Sequence, residues 1–349
     1  MRLDDWTGRA ELAYTQVRME GGMNVQQTVQ CSLCRRHCLV GPGEVGFCRT
    51  RRNVQGQMQS LVFGRLAAVE SRPIEIKPFF HFHPGSTALT YCSYSCNLRC
   101  RWCQNWHLSR IDPARTEASY VSPEDLVQMA LDAGDQGLCC SFTEPTLLHE
   151  YNLAAFPRAK ADGLYTCYVS NGYMTVETLQ ALRDAGLDAI KIDVKGDAEV
   201  YREYCEAPHG EVVWHTASAA RQMGLHVEIV NLVVTGVNDS EAALRNLIER
   251  HLDAVGAETP LHFTQYHPAH EMHAPPTLMG TLERAYHWAR QAGVAYAYLG
   301  NVRGHPAENT YCPSCGQLLI ERLGYRVRRV LLAPSGQCPA CGRRIPVIG

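Results

Sequence analysis

Eleven of the sixteen cysteines in this 349-residue sequence fall into three groups with the spacing of metal ligands. A chain of this length can bury a sizeable core, so it needs no disulfide staples. Tight spacing in such a chain favours metal or iron-sulfur ligation over structural disulfides. The groups are Cys31, Cys34, Cys38 and Cys48; then Cys96, Cys100 and Cys103; then Cys312, Cys315, Cys338 and Cys341.

The central group has the pattern C-x3-C-x2-C and supplies three thiolates from one short segment. A structural zinc ion and an ordinary four-iron cluster each take four protein ligands. Three cysteines therefore leave one iron open to another molecule, unless Cys92 or a distant residue completes the set. An open iron is a place for chemistry, whereas the alternative interpretation of these cysteines is a zinc knuckle.

The two flanking groups are each complete sets of four. At the carboxyl terminus, two C-P-x-C-G knuckles separated by 22 residues predict a tetrahedral site, with zinc favoured over rubredoxin-like iron. At the amino terminus, C-x2-C-x3-C-x9-C predicts a second closed site. Spacing alone does not separate zinc from a second iron-sulfur cluster there.

Between the second and third groups, helical patterns that end at glycine alternate with apolar runs typical of buried strands. These runs are 87–91, 138–142, 164–170, 187–194, 225–234, 260–266 and 294–299. Six or seven strands alternating with helices predict a mostly parallel sheet, either a partial barrel or an open doubly wound sheet. In both folds the active site lies at the carboxyl ends of the strands.

The sequence also predicts how the chain is divided. We expect an N-terminal four-cysteine segment over residues 1–60, a linker over 61–85, the strand-helix domain over 86–305 and a C-terminal zinc ribbon over 306–349. The fold class expected for the whole is α/β. Helix starts agree with this division, because Ser122-Pro123-Glu124-Asp125 and Asp239-Ser240-Glu241 are typical N-terminal caps.

The central segment resembles the radical S-adenosylmethionine (SAM) superfamily, whose signature is C-x3-C-x-aromatic-C after the first strand. Trp102 occupies the aromatic position. The resemblance implies a partial (β/α)6 TIM-like barrel and a [4Fe-4S] cluster on Cys96, Cys100 and Cys103. It further implies that the open iron binds SAM, and that one electron splits SAM to a 5′-deoxyadenosyl radical that abstracts hydrogen from a substrate.

The same resemblance implies SAM contacts at the strand ends. Glu144 would accept hydrogen bonds from the SAM ammonium group, and Ser170 and Asn171 would contact the ribose; the alternatives are an acidic helix cap and an Asn-Gly turn. Val234 and Asn238 follow the fifth strand, where superfamily members often touch adenine. The superfamily usually has Gly-Gly-Glu where this sequence has Phe-Thr-Glu.

Further candidate catalytic groups, besides Glu144, are Asp193, Lys195 and His267. Lys191, Asp193 and Lys195 alternate along one strand and so face one side, and Asp-Val-Lys resembles the Asp-x-Lys of pyruvate formate-lyase activating enzyme. The alternative is a structural ion pair. His267 follows the sixth strand and can bind a metal or substrate, or belong to a solvated loop.

Across nearly the whole chain, the order of segments resembles the AmmeMemoRadiSam-system radical SAM enzymes. The resemblance includes Cys-Ser-Leu-Cys-Arg-Arg-His-Cys near the amino terminus and Gly300-Asn301-Val302 before the last cysteines. It implies a low-potential electron donor of the flavodoxin or ferredoxin type and Memo-like and Ammecr-like partners. Ser95 departs from the Gly that commonly precedes the first cluster cysteine.

Three functions follow as alternatives. The first is an oxidoreductase-type enzyme that cleaves SAM reductively and abstracts hydrogen from an unidentified substrate. The second is an activase that places a radical on a glycine of a partner protein. The third is a metal-stapled binding module without chemistry.

Composition limits the partners. Lys plus Arg number 33 against 35 Asp plus Glu, a net charge of −2, so nucleic acid is not an expected partner of the whole surface. The sequence shows no apolar stretch typical of a signal peptide or membrane span, which predicts a cytoplasmic protein. Residues 312–349 contain six Arg and one acid, which favours a solvated surface over a site for an acidic substrate.

Overall fold

The computed structural model describes residues 27–349, so the first 26 residues of the predicted N-terminal segment lie outside the described residues. The strands are β1 Val29–Gln30, β2 Leu39–Val40, β3 Arg51–Val54, β4 Gln57–Ser60, β5 Ala68–Pro73, β6 Thr87–Cys92, β7 Gly137–Cys140, β8 Tyr165–Ser170, β9 Ala189–Asp193, β10 His226–Val233, β11 Leu261–Gln265, β12 Ala297–Gly300, β13 Thr310–Tyr311, β14 Leu318–Leu323 and β15 Arg326–Val330.

The helices are α1 Trp106–Ser109, α2 Pro123–Asp132, α3 His149–Ala161, α4 Val176–Asp184, α5 Ala198–Cys205, α6 Val212–Gln222, α7 Glu241–Val255 and α8 Met279–Ala292. Both predicted caps are confirmed. Ser122 and Asp125 form a reciprocal capping box with Pro123 in the first turn, and Ser240 caps α7. None of the helices in residues 27–349 combines the length and the apolar character that a membrane span requires.

A single eight-stranded sheet organises the centre of the molecule, in the order β12-β11-β10-β9-β8-β7-β6-β5. The seven strands from β6 to β12 are parallel, and helices form the six crossovers between them, as the partial (β/α)6 barrel predicts. The largest apolar core lies between these strands and the helices packed outside them. The carboxyl ends of the parallel strands therefore meet at one edge, where the cysteine loop follows β6.

Residues 61–85, which the sequence predicts to be a linker, form part of the central sheet and of the barrel interior. They contain β5, which pairs antiparallel with β6 and extends the sheet. The plug segment, residues 74–83, then enters the barrel, where Phe79 and Phe82 pack on small lumen side chains. Polar residues made β5 hard to recognise, since only two of its six residues, Ala68 and Val69, are apolar before Pro73.

The plug segment is held by a buried carboxylate near the amino end of β10. Glu228 accepts hydrogen bonds from the backbone N–H groups of Phe80 and His81 and also contacts the rings of His226 and His262. Burial opposes its ionisation, but the His226 and His262 side chains outweigh burial and lower the pKa of Glu228. The plug thus closes the barrel on the side away from the cysteine loop.

The C-terminal ribbon, residues 310–349, is a three-stranded antiparallel sheet of β13, β14 and β15 followed by the last cysteine knuckle. It shares an apolar cluster with Phe80 of the plug and with Tyr296 and Tyr298 at β12. The ribbon therefore packs at the β12 edge of the sheet rather than standing apart from it.

Candidate active site

A cavity of about 490 Å³ lies at the carboxyl ends of the parallel strands. Its wall contains all three central cysteines, Cys96, Cys100 and Cys103. Side chains from the lumen faces of the strands, from the plug segment and from the ribbon complete it. Among them are Trp102, Asn171, Lys191, Asp193, Lys195, Leu232, Thr264, Asn301 and Tyr325. The fold thus brings the cysteine loop to the strand edge at which barrel enzymes do chemistry.

The cysteine loop folds back on itself through backbone contacts. Ser95 N–H donates to Leu108 O at 3.0 Å, and Ser95 has a φ of 69°. Phe142 on the neighbouring loop has a φ of 66°. Both are left-handed conformations that favour glycine. They occur at the two places where this sequence lacks the glycines that are common in the radical SAM proteins it resembles. In this chain Ser95 and Phe142 adopt that conformation although neither is a glycine.

The three central thiols are spread too widely for one zinc ion. Tetrahedral zinc with bonds near 2.3 Å holds its sulfur ligands about 3.8 Å apart. Over residues 27–349, the C-terminal cysteines are the only set of three or more Cys, His, Asp or Glu side chains whose ligand atoms all lie within 4.8 Å of one another. A polynuclear cluster holds its ligands farther apart than a single ion does, so the donor set Cys96, Cys100 and Cys103 fits iron-sulfur ligation.

Burial keeps these thiols protonated when no metal is bound. It raises the pKa of Cys96 and of Cys103, and the neighbouring Cys205 thiol together with burial raises that of Cys100. Cys205, at the end of α5, is therefore next to the cysteine loop. Trp102 packs against α5 as well, with its ring centroid 5.9 Å from that of Tyr204.

Two asparagines join the cysteine loop to the end of β8. Asn171 Nδ2 donates to Asn97 Oδ1 at 2.8 Å and lies 3.8 Å from Cys96 Sγ. Asn97 is fully buried, and its own Nδ2 has no hydrogen-bond partner among the described residues. An additional acceptor, such as a cluster sulfide or a thiolate, would give the Asn97 Nδ2 donor a hydrogen-bond partner.

Glu144 takes the capping position that the sequence indicates as the alternative to a SAM contact. Its carboxylate accepts hydrogen bonds from Thr146 N–H, Thr146 Oγ1, Ser170 Oγ and Asn171 N–H, at 2.5–3.1 Å. Only 2% of Glu144 is exposed, and neither Glu144 nor Ser170 is part of the cavity wall. Burial raises the Glu144 pKa. Glu144 therefore caps the turn that begins at Pro145 and ties it to the end of β8.

Val234 and Asn238 hold the loop after β10. Asn238 Oδ1 accepts from Val234 N–H at 2.6 Å, and its Nδ2 donates to Lys195 O and Leu232 O at 2.6 and 2.9 Å. The Asn238 amide thus fastens the end of β9 to the end of β10. Neither Val234 nor Asn238 is part of the cavity wall.

A chain of three charges crosses the cavity wall on β9 and just beyond it. Lys191 Nζ lies 2.5 Å from Asp193 Oδ1, and Lys195 Nζ lies 3.5 Å from Asp193 Oδ2. Burial opposes ionisation of Asp193, but the two ammonium groups outweigh it and lower its pKa. Burial lowers the pKa of Lys191, whereas the Asp193 charge outweighs burial at Lys195 and raises its pKa. The ion pair expected as an alternative is present, and it faces the cavity.

His267 lies outside this cavity. It is exposed and belongs to the wall of an adjoining space of about 830 Å³, the vestibule. The two walls have residues in common, among them Gln104, Asn301 and Tyr325. Sequence reasoning assigned no role to Asn97, Asn301 or Tyr325. Asn97 lies within the cysteine motif and Asn301 directly follows β12, so their positions in the sequence could have indicated a place in the active site. Tyr325 in the ribbon gave none.

The N-terminal cysteine segment docks on the cysteine loop. Ser95 Oγ donates to Cys48 O at 2.6 Å, Arg36 Nε donates to Asn97 O at 2.6 Å, and Arg99 donates to Phe47 O at 3.2 Å. The Arg36 guanidinium also lies 3.4 Å from the centre of the Phe47 ring. The segment therefore covers the active-site end of the barrel rather than its far end.

The C-terminal cysteines form a compact site. Cys312 Sγ lies 3.6 Å from Cys341 Sγ, and Cys315 Sγ lies 3.6 Å from Cys338 Sγ. These separations match the edges of a tetrahedron of sulfur around one zinc ion, about 3.8 Å. The donor set fits a single tetrahedral metal ion.

Comparison with known proteins agrees with the fold and site. The model of the radical SAM superfamily matches residues 90–248. The uncharacterized protein MJ0808 of Methanocaldococcus jannaschii is 38% identical over 322 residues, which cover 92% of this chain and 96% of that protein. A GTP 3′,8-cyclase of Campylobacter fetus is 26% identical over 148 residues, 42% of this chain and 46% of the cyclase.

Two solved structures with similar folds are an activating-enzyme domain and a protein bound to S-adenosylmethionine. A domain of a pyruvate-formate lyase-activating enzyme from Bacteroides vulgatus is 18% identical, with a TM-score of 0.42 over 47% of this chain and 99% of that one. SuiB from Streptococcus suis, bound to S-adenosylmethionine, is 13% identical, with a TM-score of 0.47 over 61% and 52% of the two chains.

The match to the radical SAM superfamily over residues 90–248 supports an enzyme that uses SAM and an iron-sulfur cluster. This chain belongs to the radical SAM superfamily. The assignment to the AmmeMemoRadiSam-system enzymes stays a prediction.

Proposed function

We propose that this enzyme abstracts a hydrogen atom from a substrate bound in the cavity, with a [4Fe-4S] cluster on Cys96, Cys100 and Cys103. The observation that carries the proposal is that these thiols and the Lys191–Asp193–Lys195 charges share one cavity wall. When bound, the cluster and SAM supply a 5′-deoxyadenosyl radical as the hydrogen acceptor. The protein's own residues position the reactants and exclude water.

In this proposal, Asp193 and its lysines bind polar groups of SAM or the substrate. A carboxylate held by two ammonium groups has a fixed orientation and resists protonation, because both charges favour its ionised form. Lys195 stands at the end of the strand, where it can turn to an incoming carboxylate. A pre-formed charge array of this kind needs little reorganisation when the ligand binds.

Three residues, Glu144, Ser170 and Asn238, act at a distance from the reacting atoms. Glu144 and Ser170 brace the end of β8, which presents Asn171 to the cysteine loop and the cavity. Asn238 braces the backbone at Val234 and Lys195. We therefore assign Glu144 and Asn238 as positioning residues, in place of the direct SAM contacts that the sequence predicts.

The N-terminal cysteines hold a second iron-sulfur cluster in this proposal. Cys31, Cys34, Cys38 and Cys48 do not form a group within 4.8 Å among the described residues, unlike the C-terminal set that fits zinc. The segment also contacts the cysteine loop through Ser95 and Asn97. Bound there, a cluster would supply electron transfer from a donor of the flavodoxin or ferredoxin type to the central cysteines. Eight irons and one zinc per chain support this assignment, and four irons with two zincs contradict it.

The test is anaerobic. The reconstituted protein is mixed with SAM and dithionite, and 5′-deoxyadenosine is measured by chromatography and mass spectrometry. Product at a rate above the protein-free control supports the proposal. A persistent glycine-centred radical on an added partner protein would instead favour the activase. If the fully iron-loaded protein forms no deoxyadenosine, the result favours the third function, a binding module without chemistry.

A further inference from the structure

The vestibule outside the cavity is rich in arginine although the chain as a whole is almost neutral. Its wall contains Arg72, Arg303, Arg326 and Arg328, together with the exposed His267. Arg72 pairs with Glu70 at 2.6 Å. Over residues 27–349, no carboxylate lies within 4.0 Å of the other three arginines, and their guanidinium groups donate no hydrogen bond within the chain. A net charge of −2 makes this local excess a specific feature.

Among residues 27–349, Glu308 is the one carboxylate in the vestibule wall, and it is already engaged. Glu308 is only 4% exposed, and its Oε2 accepts hydrogen bonds from Gly304 N–H at 2.8 Å and Gly324 N–H at 3.2 Å. It fixes the turn between β14 and β15 against the loop after β12. The charge of Glu308 is therefore engaged by backbone N–H groups, and the solvent-facing side of the vestibule is positively charged.

The vestibule opens onto the reaction cavity. Gln104, the residue after the last central cysteine, is in both walls, as are Asn301 and Tyr325. Tyr325 Oη donates to Asn301 Oδ1 at 3.2 Å, which links the ribbon hairpin to the end of β12. A molecule anchored in the vestibule can thus extend one end toward the three cysteines.

We propose that the vestibule binds an anionic group, phosphate or carboxylate, of a small-molecule substrate and that the C-terminal ribbon supplies its recognition. This inference rests on the proposed function, whose site the substrate must reach. Arginine binds such oxygens by two parallel charge-assisted hydrogen bonds. Arg326 and Arg328 alternate on β15, so the ribbon presents both from one face, and Arg303 approaches from the loop after β12.

The experiment measures binding to the full-length protein by calorimetry, with inorganic pyrophosphate and citrate as separate probes. The double variant Arg303→Gln/Arg326→Gln is expected to weaken binding at least tenfold. The matched control is Arg329→Gln, because Arg329 lies on the same strand but pairs with Glu321 at 2.5 Å and is not in the vestibule wall. This control is expected to bind as the wild type does.

The two probes separate the chemical sources. Tighter binding of pyrophosphate indicates a phosphorylated substrate and tighter binding of citrate a carboxylated one; either supports the inference. No binding of either probe, or equal loss in the Arg329→Gln control, overturns it. Tight binding of a single-stranded oligonucleotide without pyrophosphate or citrate binding also overturns it. Binding needs no SAM turnover, so a failure here is distinct from a failure to form deoxyadenosine.

Discussion

The side-chain amide of Asn171 donates a 2.8 Å hydrogen bond to the side chain of Asn97. This bond joins the end of β8 to the centre of the cysteine loop, between Cys96 and Cys100. Asn97 is fully buried and Asn171 is nearly so, and loss of the bond would leave a buried polar group without its partner. The geometry of the central thiols thus depends on a strand that carries none of them.

Replacing Asn171 with alanine is expected to loosen the cysteine loop. Loss of the buried bond should lower the free energy of unfolding by about 1–3 kcal/mol and the rate of deoxyadenosine formation at least tenfold. Urea unfolding and the SAM-cleavage assay measure the two effects. Asn246→Ala, on the exposed face of α7, is the control. A wild-type cleavage rate in Asn171→Ala would contradict the role given to this bond.

Glu144→Gln tests whether this residue positions the site or contacts SAM. All four partners of the Glu144 carboxylate donate hydrogen bonds to it. In the Gln variant one carboxylate oxygen becomes an NH2 group, which is itself a donor, so one of these buried hydrogen bonds is lost. We expect a loss of about 1–3 kcal/mol in the free energy of unfolding. We also expect a lower kcat with little change in KM for SAM. A large rise in KM alone, at wild-type stability, would indicate direct SAM contact instead.

Removing one ligand from the ribbon is expected to release one metal ion. Cys341 is exposed, so Cys341→Ser adds no steric conflict but weakens a thiolate site. Zinc per chain should fall by one while iron is unchanged, and the melting temperature should drop because metal binding contributes to folding. Elemental analysis and calorimetric melting test this. Iron lost in place of zinc would show that the ribbon is rubredoxin-like.

Stability is expected to fall in mild acid because of His81. Burial lowers the pKa of His81 from 6.5 to about 3. Below pH 6.5 the unfolded chain therefore binds a proton that the folded chain does not, so the free energy of unfolding decreases as the pH decreases. Between pH 7.5 and 5.5 this single group should account for about 1.4 kcal/mol.

His81→Leu is expected to reduce that pH dependence. The ring contacts Tyr298 Oη at 2.6 Å and Pro346 O at 3.2 Å, so the variant is less stable at pH 7.5, but the further loss at pH 5.5 should be smaller. Urea unfolding at both pH values gives the difference, and His287→Gln on the surface of α8 is the control. An unchanged pH dependence in His81→Leu would show that another group titrates.

The repeated strand-helix order and the position of the cysteine loop could be predicted because they are local patterns. Glycine ends, capping residues and apolar runs each lie within a few neighbours in sequence. The environments of Glu144 and Asn238 could not be predicted from the sequence, because their hydrogen-bond partners depend on which loops meet at the edge of the sheet. Arg326 and Tyr325 reach the site only because the ribbon packs beside β12, and no spacing in the sequence indicates that contact.

We propose that Cys96, Cys100 and Cys103 hold the cluster that supports SAM cleavage. The most direct measurement compares iron content and deoxyadenosine formation in Cys96→Ala, Cys100→Ala and Cys103→Ala. Cys92→Ala is the matched control, because Cys92 is buried in β6 only four residues before Cys96 and is not in the cavity wall. We predict that each loop variant loses about four irons and all product while the control keeps both. Product formation by any of the three loop variants would contradict the claim.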